Sequence, residues 1–175
     1  MTEDYYSLFA LPREFALDPR QLEQRFRDLS RTLHPDRFAR AEPQQRRLAL
    51  ERATRLNDAF RALKDWRRRA AYLLSLAGQE VFAEGRSFHD PAFLEEQLEV
   101  REALALARAD GDAAALAGIA ARARAGLAAL EAECGRLFGE PDWFSESAEE
   151  IARRLSRARY YDNLIADAER GADAR

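Results

Sequence analysis

Valine, isoleucine and threonine together supply only eight of the 175 residues. Strands are enriched in those side chains, and no stretch alternates apolar with polar, so a substantial sheet is excluded. A single cysteine, Cys134, cannot close an internal disulfide, and neither histidine lies at ligand spacing from it. A disulfide scaffold and a zinc site are therefore both disfavoured, and a reducing compartment is expected. No general base accompanies Cys134, and the carboxylates fall mostly on surface helix faces, so no catalytic constellation emerges. The expectation is a protein that is not an enzyme, with no metal and no cofactor. The N-terminus, Met1-Thr-Glu-Asp-Tyr-Tyr, lacks a charged-then-apolar leader, and no run approaches the roughly 18 apolar residues that span a bilayer. A soluble cytoplasmic protein is expected.

What is abundant is alanine, 35 residues, and arginine, 27 against the single Lys64. Alanine and arginine both favour helix. Asp18-Pro19 supplies an N-cap and a first-turn proline for a helix that must stop near Leu33, because Pro35 disfavours helical geometry at His34. A second helix runs from Glu42-Pro43 to about Lys64. Leu22, Phe26, Leu29 and Leu33 on the first, and Ala49, Ala53, Leu56, Phe60 and Leu63 on the second, recur at steps of three and four. Two such helices joined by a short loop predict an antiparallel hairpin, covered by a short helix near Tyr5 to Phe9. Gly78 reads as a helix terminator. Three helices follow: about 91–109, about 112–137, and about 147–170, the last opened by the capping-box pattern Ser147-Ala-Glu-Glu150. Gly118 and Gly126, inside the middle one, are expected to mark close helix approach. The predicted fold is all-α, an N-terminal helical hairpin joined to a C-terminal three-helix bundle. The divisions are 1–77, a linker at 78–89, and 90–175.

Charge is divided between the halves. Residues 13–69 carry 16 basic and nine acidic side chains, whereas 85–112 carry three and seven. On the first long helix Arg20, Gln24, Arg27 and Arg31 lie about 200° from the apolar stripe, an outward basic ridge. Such a ridge can steer an acidic protein partner or simply stay solvated. Nucleic acid is disfavoured, since the whole chain has a net charge of −3 and no basic run interleaved with aromatics. In the acidic segment, Phe93, Gln97, Val100 and Leu104 form one stripe toward a core. Leu94, Leu98, Glu95, Glu99 and Glu102 form an adjoining strip. Leucines mixed with carboxylates suit a partner offering apolar contact plus positive charge; on pattern alone, the plainer expectation is that this second leucine row is also buried.

His34-Pro35-Asp36 stands at the tip of the predicted hairpin, directly after the basic helix. With Asp4-Tyr5-Tyr6-Ser7-Leu8-Phe9-Ala10-Leu11-Pro12, Phe26-Arg-Asp-Leu-Ser-Arg-Thr-Leu-His-Pro-Asp-Arg-Phe38 and Leu56-Asn-Asp-Ala-Phe-Arg-Ala-Leu63, it resembles the J-domain of the DnaJ co-chaperones. No glycine- and phenylalanine-rich linker, cysteine-rich module or membrane anchor follows. Instead Arg69-Ala-Ala-Tyr-Leu-Leu-Ser-Leu-Ala-Gly78 and Asp90-Pro-Ala-Phe-Leu-Glu-Glu-Gln-Leu-Glu-Val-Arg-Glu-Ala103 resemble the HscB family, J-type co-chaperones of iron–sulfur cluster assembly, over nearly the full chain.

The resemblance implies two partners. A specialised DnaK-class chaperone, HscA, would meet His34, Pro35 and Asp36, supported by Arg20, Arg27, Arg31 and Arg37. The iron–sulfur scaffold IscU would meet Leu94, Glu95, Leu98, Glu99, Glu102 and, across the bundle, Tyr160. Arg37 stands where the family usually has lysine, Glu95 where relatives can carry an apolar residue, Leu106 where they can carry an acid, and Tyr160 where phenylalanine is expected. The paired N-terminal cysteines of eukaryotic members are missing, which suggests a bacterial source. A monomer is expected, without nucleic acid or membrane. The alternatives are a generic J-domain co-chaperone, or a helical adaptor, serving a different client.

Overall fold

The computed structural model describes residues 4–34, 42–79 and 90–173, and the described residues form helices and loops without a strand. Eight helices are seen: α1 (Tyr5–Leu8), α2 (Pro19–Leu33), α3 (Pro43–Lys64), α4 (Trp66–Leu76), α5 (Pro91–Ala109), α6 (Ala113–Phe138), α7 (Trp143–Glu146) and α8 (Ala148–Asp173). They fall into two compact units, Met1–Ala77 and Gly78–Arg175.

In the first unit the hairpin α2–α3 is closed by α1 and α4. The Asp18 carboxylate accepts from the Arg20 N–H at 2.9 Å and Pro19 occupies the first turn, so α2 starts where its cap and fixed φ dictate. Phe26 stacks on Phe60 at 4.0 Å between ring centroids, and Leu22, Leu56, Ala59 and Leu63 are buried. Tyr6 of α1, Phe9 at its C-terminal cap and Leu74 of α4 add large buried side chains. Asp65 separates α3 from α4. Its backbone is extended, and its carboxylate accepts from the Arg67 and Arg68 N–H groups at 2.9 and 3.1 Å and from the Arg67 guanidinium. Burial by itself would raise the Asp65 pKa; the hydrogen bonds from Arg67 and Arg68 outweigh it and hold the carboxyl below its usual range. Arg69, buried behind this break, donates to the Leu63 carbonyl at 2.7 Å and lies over the Phe15 ring. It thereby satisfies one of the carbonyls that the end of α3 leaves open. Gly78 follows α4 with φ +77°, the left-handed terminator that the sequence predicts.

The second unit is a bundle of α5, α6 and α8. Leu104 and Ala107 of α5, Leu116, Ile119, Ala120 and Ala123 of α6, and Leu164 and Ala168 of α8 make one core. Asp112 caps α6 through the Ala115 N–H at 2.9 Å, after a Gly111 with φ +64°. The two glycines of α6 behave differently. A Cβ on Gly126 would stand 2.8 Å from Cε2 of Tyr161, so the missing side chain is what lets α8 approach. A Cβ on Gly118 would meet nothing within 4 Å, so no close approach within the chain explains that glycine, contrary to expectation.

Two local details also differ from the sequence reading. The segment after Gly139 holds the extra short helix α7, with Trp143 packed edge-on against Phe138 at 4.8 Å. The buried Ser147 hydroxyl donates to the Glu140 carboxylate at 2.5 Å, which ties the α6–α8 connection back on itself. By length and mean hydropathy (1.3 over 18 residues) α6 is the one described helix apolar enough to cross a membrane. Its most apolar face is nevertheless buried in the bundle, and Arg122 and Arg124 lie in its middle, each costly at a bilayer centre.

Candidate functional site

Two surfaces carry the residues singled out from the sequence, one on each unit. On the first unit Arg20, Gln24, Arg27 and Arg31 are all exposed along α2, opposite the face that packs on α3. They are not isolated charges. Gln24 donates to both Asp28 oxygens at 3.1 and 3.0 Å, Arg27 donates to Gln24 at 3.4 Å, and Arg31 approaches Asp28 at 3.7 Å. Asp28 therefore offsets part of the ridge at its centre. Lys64 of α3 pairs with Glu23 of α2 at 3.2 Å and helps fix the hairpin. At the end of the ridge His34, exposed, leaves helical geometry with ψ 127°, as a residue before proline must. Ser30, Leu33, His34, Leu50, Ala53 and Leu56 line a groove beside it. Pro35, Asp36 and Arg37 lie outside the described residues.

The second surface is built on α5. Asp90 caps the helix through the Phe93 N–H at 3.1 Å and pairs with Arg157 of α8. The Phe93 N–H bond first, and the Arg157 hydrogen bond next, hold the Asp90 carboxyl below its usual range. Arg157 also lies over the Phe93 ring at 4.6 Å, and Phe93 meets Tyr160 edge-on at 5.4 Å. This knot of Asp90, Phe93, Arg157 and Tyr160 pins the N-terminal half of α5 against α8 and sets its rotation. Phe93 and Leu104 are buried, while Gln97 and Val100 are half-buried, so the inner stripe is the one predicted.

The adjoining strip faces solvent. Leu94 and Leu98 are 48% and 61% exposed, which overturns the plainer expectation that the second leucine row is also buried. Glu95, Glu99 and Glu102 are exposed between them. Tyr160 is half-buried, with its hydroxyl 3.5 Å from the Gln97 carbonyl, which places it along α5 beside this strip. Burial raises the Tyr160 pKa, so it stays a neutral phenol. Two further residues belong here that the sequence pattern did not assign. Leu106, 64% exposed, lies seven positions after Glu99, on the same face two turns on. Arg101 lines a recess with Tyr160, Asn163, Asp167 and Arg170, a positive group inside an acidic face. Leu106 could have been found from its spacing; Arg101 depends on how α8 lies against α5, which spacing alone does not give.

Neither surface is built for chemistry. Cys134 is fully buried, and that burial pushes its thiol up to about 12, far from nucleophilic at neutral pH. Among the described residues no group of three His, Cys, Asp or Glu side chains could hold a metal ion.

A covered helical hairpin whose basic helix ends at His34, followed by a separate helical bundle, is the arrangement that the resemblance to the J-domain co-chaperone class leads one to expect. Comparison with known proteins narrows this. Residues 89–169 match the family model described as the HSCB C-terminal oligomerisation domain. The co-chaperone protein HscB homolog of Vibrio cholerae is 38% identical over 97% of each chain. That of Bordetella pertussis is 48% identical over 108 residues, taking in 62% of this chain and 64% of that protein. Among solved structures, chaperone HscB from Vibrio cholerae matches with TM-score 0.79 and 35% identity over 97% of this chain and 98% of that one. Human co-chaperone protein HscB matches with TM-score 0.86 and 29% identity over 96% and 81%. The chain belongs to the HscB family, which is a family of co-chaperones and not of enzymes.

Proposed function

We propose that the protein couples two partners in bacterial, cytoplasmic iron–sulfur cluster assembly: it delivers the scaffold IscU to the DnaK-class chaperone HscA and stimulates HscA's ATPase, which aids cluster maturation and transfer. The observation that carries this reading is the solvent exposure of Leu94 and Leu98 among Glu95, Glu99 and Glu102, on a different unit from His34 and the basic ridge. An apolar and acidic strip left exposed among the described residues suits a scaffold that presents apolar contact and positive charge. Tyr160, beside the strip, adds an aromatic edge to that contact.

The chaperone contact falls on His34, Pro35 and Asp36, with Arg20, Arg27, Arg31 and Arg37 steering it toward an acidic patch. Stimulation requires that the hairpin bind the hydrolysis-competent state of the ATP-bound chaperone more tightly than its resting state, since equal binding would shift nothing. Steering of this kind raises the association rate and weakens as salt rises. The test is Asp36→Asn in the full chain. It should leave IscU affinity unchanged and abolish stimulation of HscA; undiminished stimulation would overturn the assignment.

A further inference from the structure

The proposed scaffold face is not uniformly acidic. A step of seven residues turns an α-helix by about −20° and a step of three by about −60°, so Arg101 shares the side of α5 that carries Leu94 and Leu98. It stands on their edge toward α8, beside Tyr160. Glu95, Glu99 and Glu102 lie about 100° to 160° away from it around the helix, on the opposite edge. Outward from α8 the face therefore reads basic, apolar, acidic. Arg101 is exposed, and its helical neighbours three and four positions away are Gln97, Leu98, Leu104 and Ala105, none of them an acid. Among the described residues it has no ion pair. It opens onto a recess of about 300 Å³, lined from α8 by Tyr160, Asn163, Asp167 and Arg170. The carboxylate there is already answered, because Arg108 and Arg170 both turn to Asp167, at 3.6 and 2.5 Å. Three arginines thus meet one carboxylate, and Arg101 is the one left over.

We propose that this recess takes a side-chain carboxylate, from an Asp or Glu of the scaffold segment that docks on Leu94 and Leu98. The Arg101 guanidinium holds it, and the exposed Asn163 amide is a second donor. This subsite rests on the proposed scaffold contact and gives it a direction. A guanidinium presents its N–H donors in a planar fork that matches a carboxylate at two points. Covering Arg101 with an apolar partner would strip it of water without replacement, a cost that a partner carboxylate offsets. A partner that is basic throughout would meet Arg101 with like charge and be repelled there. The docked segment therefore carries an acid on its α8 side, its positive charge on the side of Glu95, Glu99 and Glu102, and apolar residues between. The same segment turned half round would set like charges together on both edges, so the recess selects one of the two orientations.

Isothermal titration of the full chain with IscU reads the sign of this contact. Arg101→Ala should weaken binding about tenfold and Arg101→Glu about 100-fold. Both variants should keep the urea midpoint of the parent, since Arg101 is exposed and outside the bundle core. Replacing one particular acid of IscU by arginine should restore the affinity of the Arg101→Glu chain and weaken that of the parent. Arg101→Ala binding within twofold of the parent, or tighter binding by Arg101→Glu, as a uniformly basic partner would give, would each overturn the subsite. So would a scan of every IscU acid that finds no restoring reversal. The leucine pair separates this from the scaffold contact itself. If Leu94→Ala with Leu98→Ala weakens binding and the Arg101 variants do not, the subsite fails and the contact stands; if the leucine pair also binds as the parent does, both fall.

Discussion

Truncating the two exposed leucines of α5 gives the sharpest quantitative consequence of the proposed scaffold contact. Leu→Ala deletes three carbons, and burial is worth about 0.8 kcal/mol for each methylene-sized group, so a leucine passing from fully exposed to fully covered contributes about 2.4 kcal/mol beyond alanine. Leu94 and Leu98 retain 48% and 61% of their exposure, so what a partner can still cover is worth about 1.2 and about 1.5 kcal/mol. Leu94→Ala with Leu98→Ala should therefore weaken IscU binding about 100-fold, measured by isothermal titration with the full chain. Folding should be untouched, because neither leucine belongs to the bundle core and alanine is the better helix former. The unfolding midpoint in urea should stay at or slightly above that of the parent. IscU affinity unchanged within twofold, or a bundle that unfolds at clearly lower urea, would refute the reasoning: the first removes the strip from the interface, the second means the leucines are packed.

Other consequences concern stability and reactivity. Gly126→Ala should destabilise the bundle despite alanine's higher helix propensity, because its Cβ would press on the Tyr161 ring at 2.8 Å; Gly118→Ala, with open space at the same atom, should stabilise dilute protein by up to about 1 kcal/mol. Urea titrations of the pair, in which the two midpoints move in opposite directions, check this. Asp65, whose folded pKa is lowered, contributes stability that is present above its ordinary value of 3.8 and is lost as pH falls through the lower folded value. Asp65→Asn should accordingly flatten the loss of stability as pH falls below 3.8, read from unfolding midpoints at successive pH values. Cys134, its thiol pushed up to about 12 by burial, should resist thiol reagents in native protein at pH 8 and react at once in denaturant.

The helices were legible because their punctuation is local chemistry. Asp18-Pro19, Asp90-Pro91 and Gly78 each determine where a chain can enter or leave a helix, whatever surrounds it, and the observed bounds follow them closely. The inner stripe of α5 was readable for a similar reason, since Phe93, Gln97, Val100 and Leu104 repeat with the helical period. What pattern could not give was which of two adjacent apolar rows a bundle with only three main helices has room to bury. That is decided by the rotation of α5, and the rotation is set by the Asp90–Arg157 pair and by Phe93 against Tyr160, contacts between residues more than sixty positions apart. The same reason hid Arg101 and the difference between Gly118 and Gly126: both depend on what lies opposite across the bundle. Ser147 reads as a helix cap in sequence, yet its buried hydroxyl turns to Glu140, because a carboxylate from the preceding turn lies within reach.

The proposed function needs one chain to carry two docking surfaces, a chaperone-activating hairpin on the first unit and a cargo face on the second. Its most direct test is ATP turnover by purified HscA, titrated with the protein in the absence and presence of IscU. The protein alone should raise turnover, protein and IscU together should raise it further than either does singly, and the leucine-truncated chain should retain the first effect while losing the second. Turnover indifferent to the protein under both conditions, while IscU still binds it, would contradict the claim.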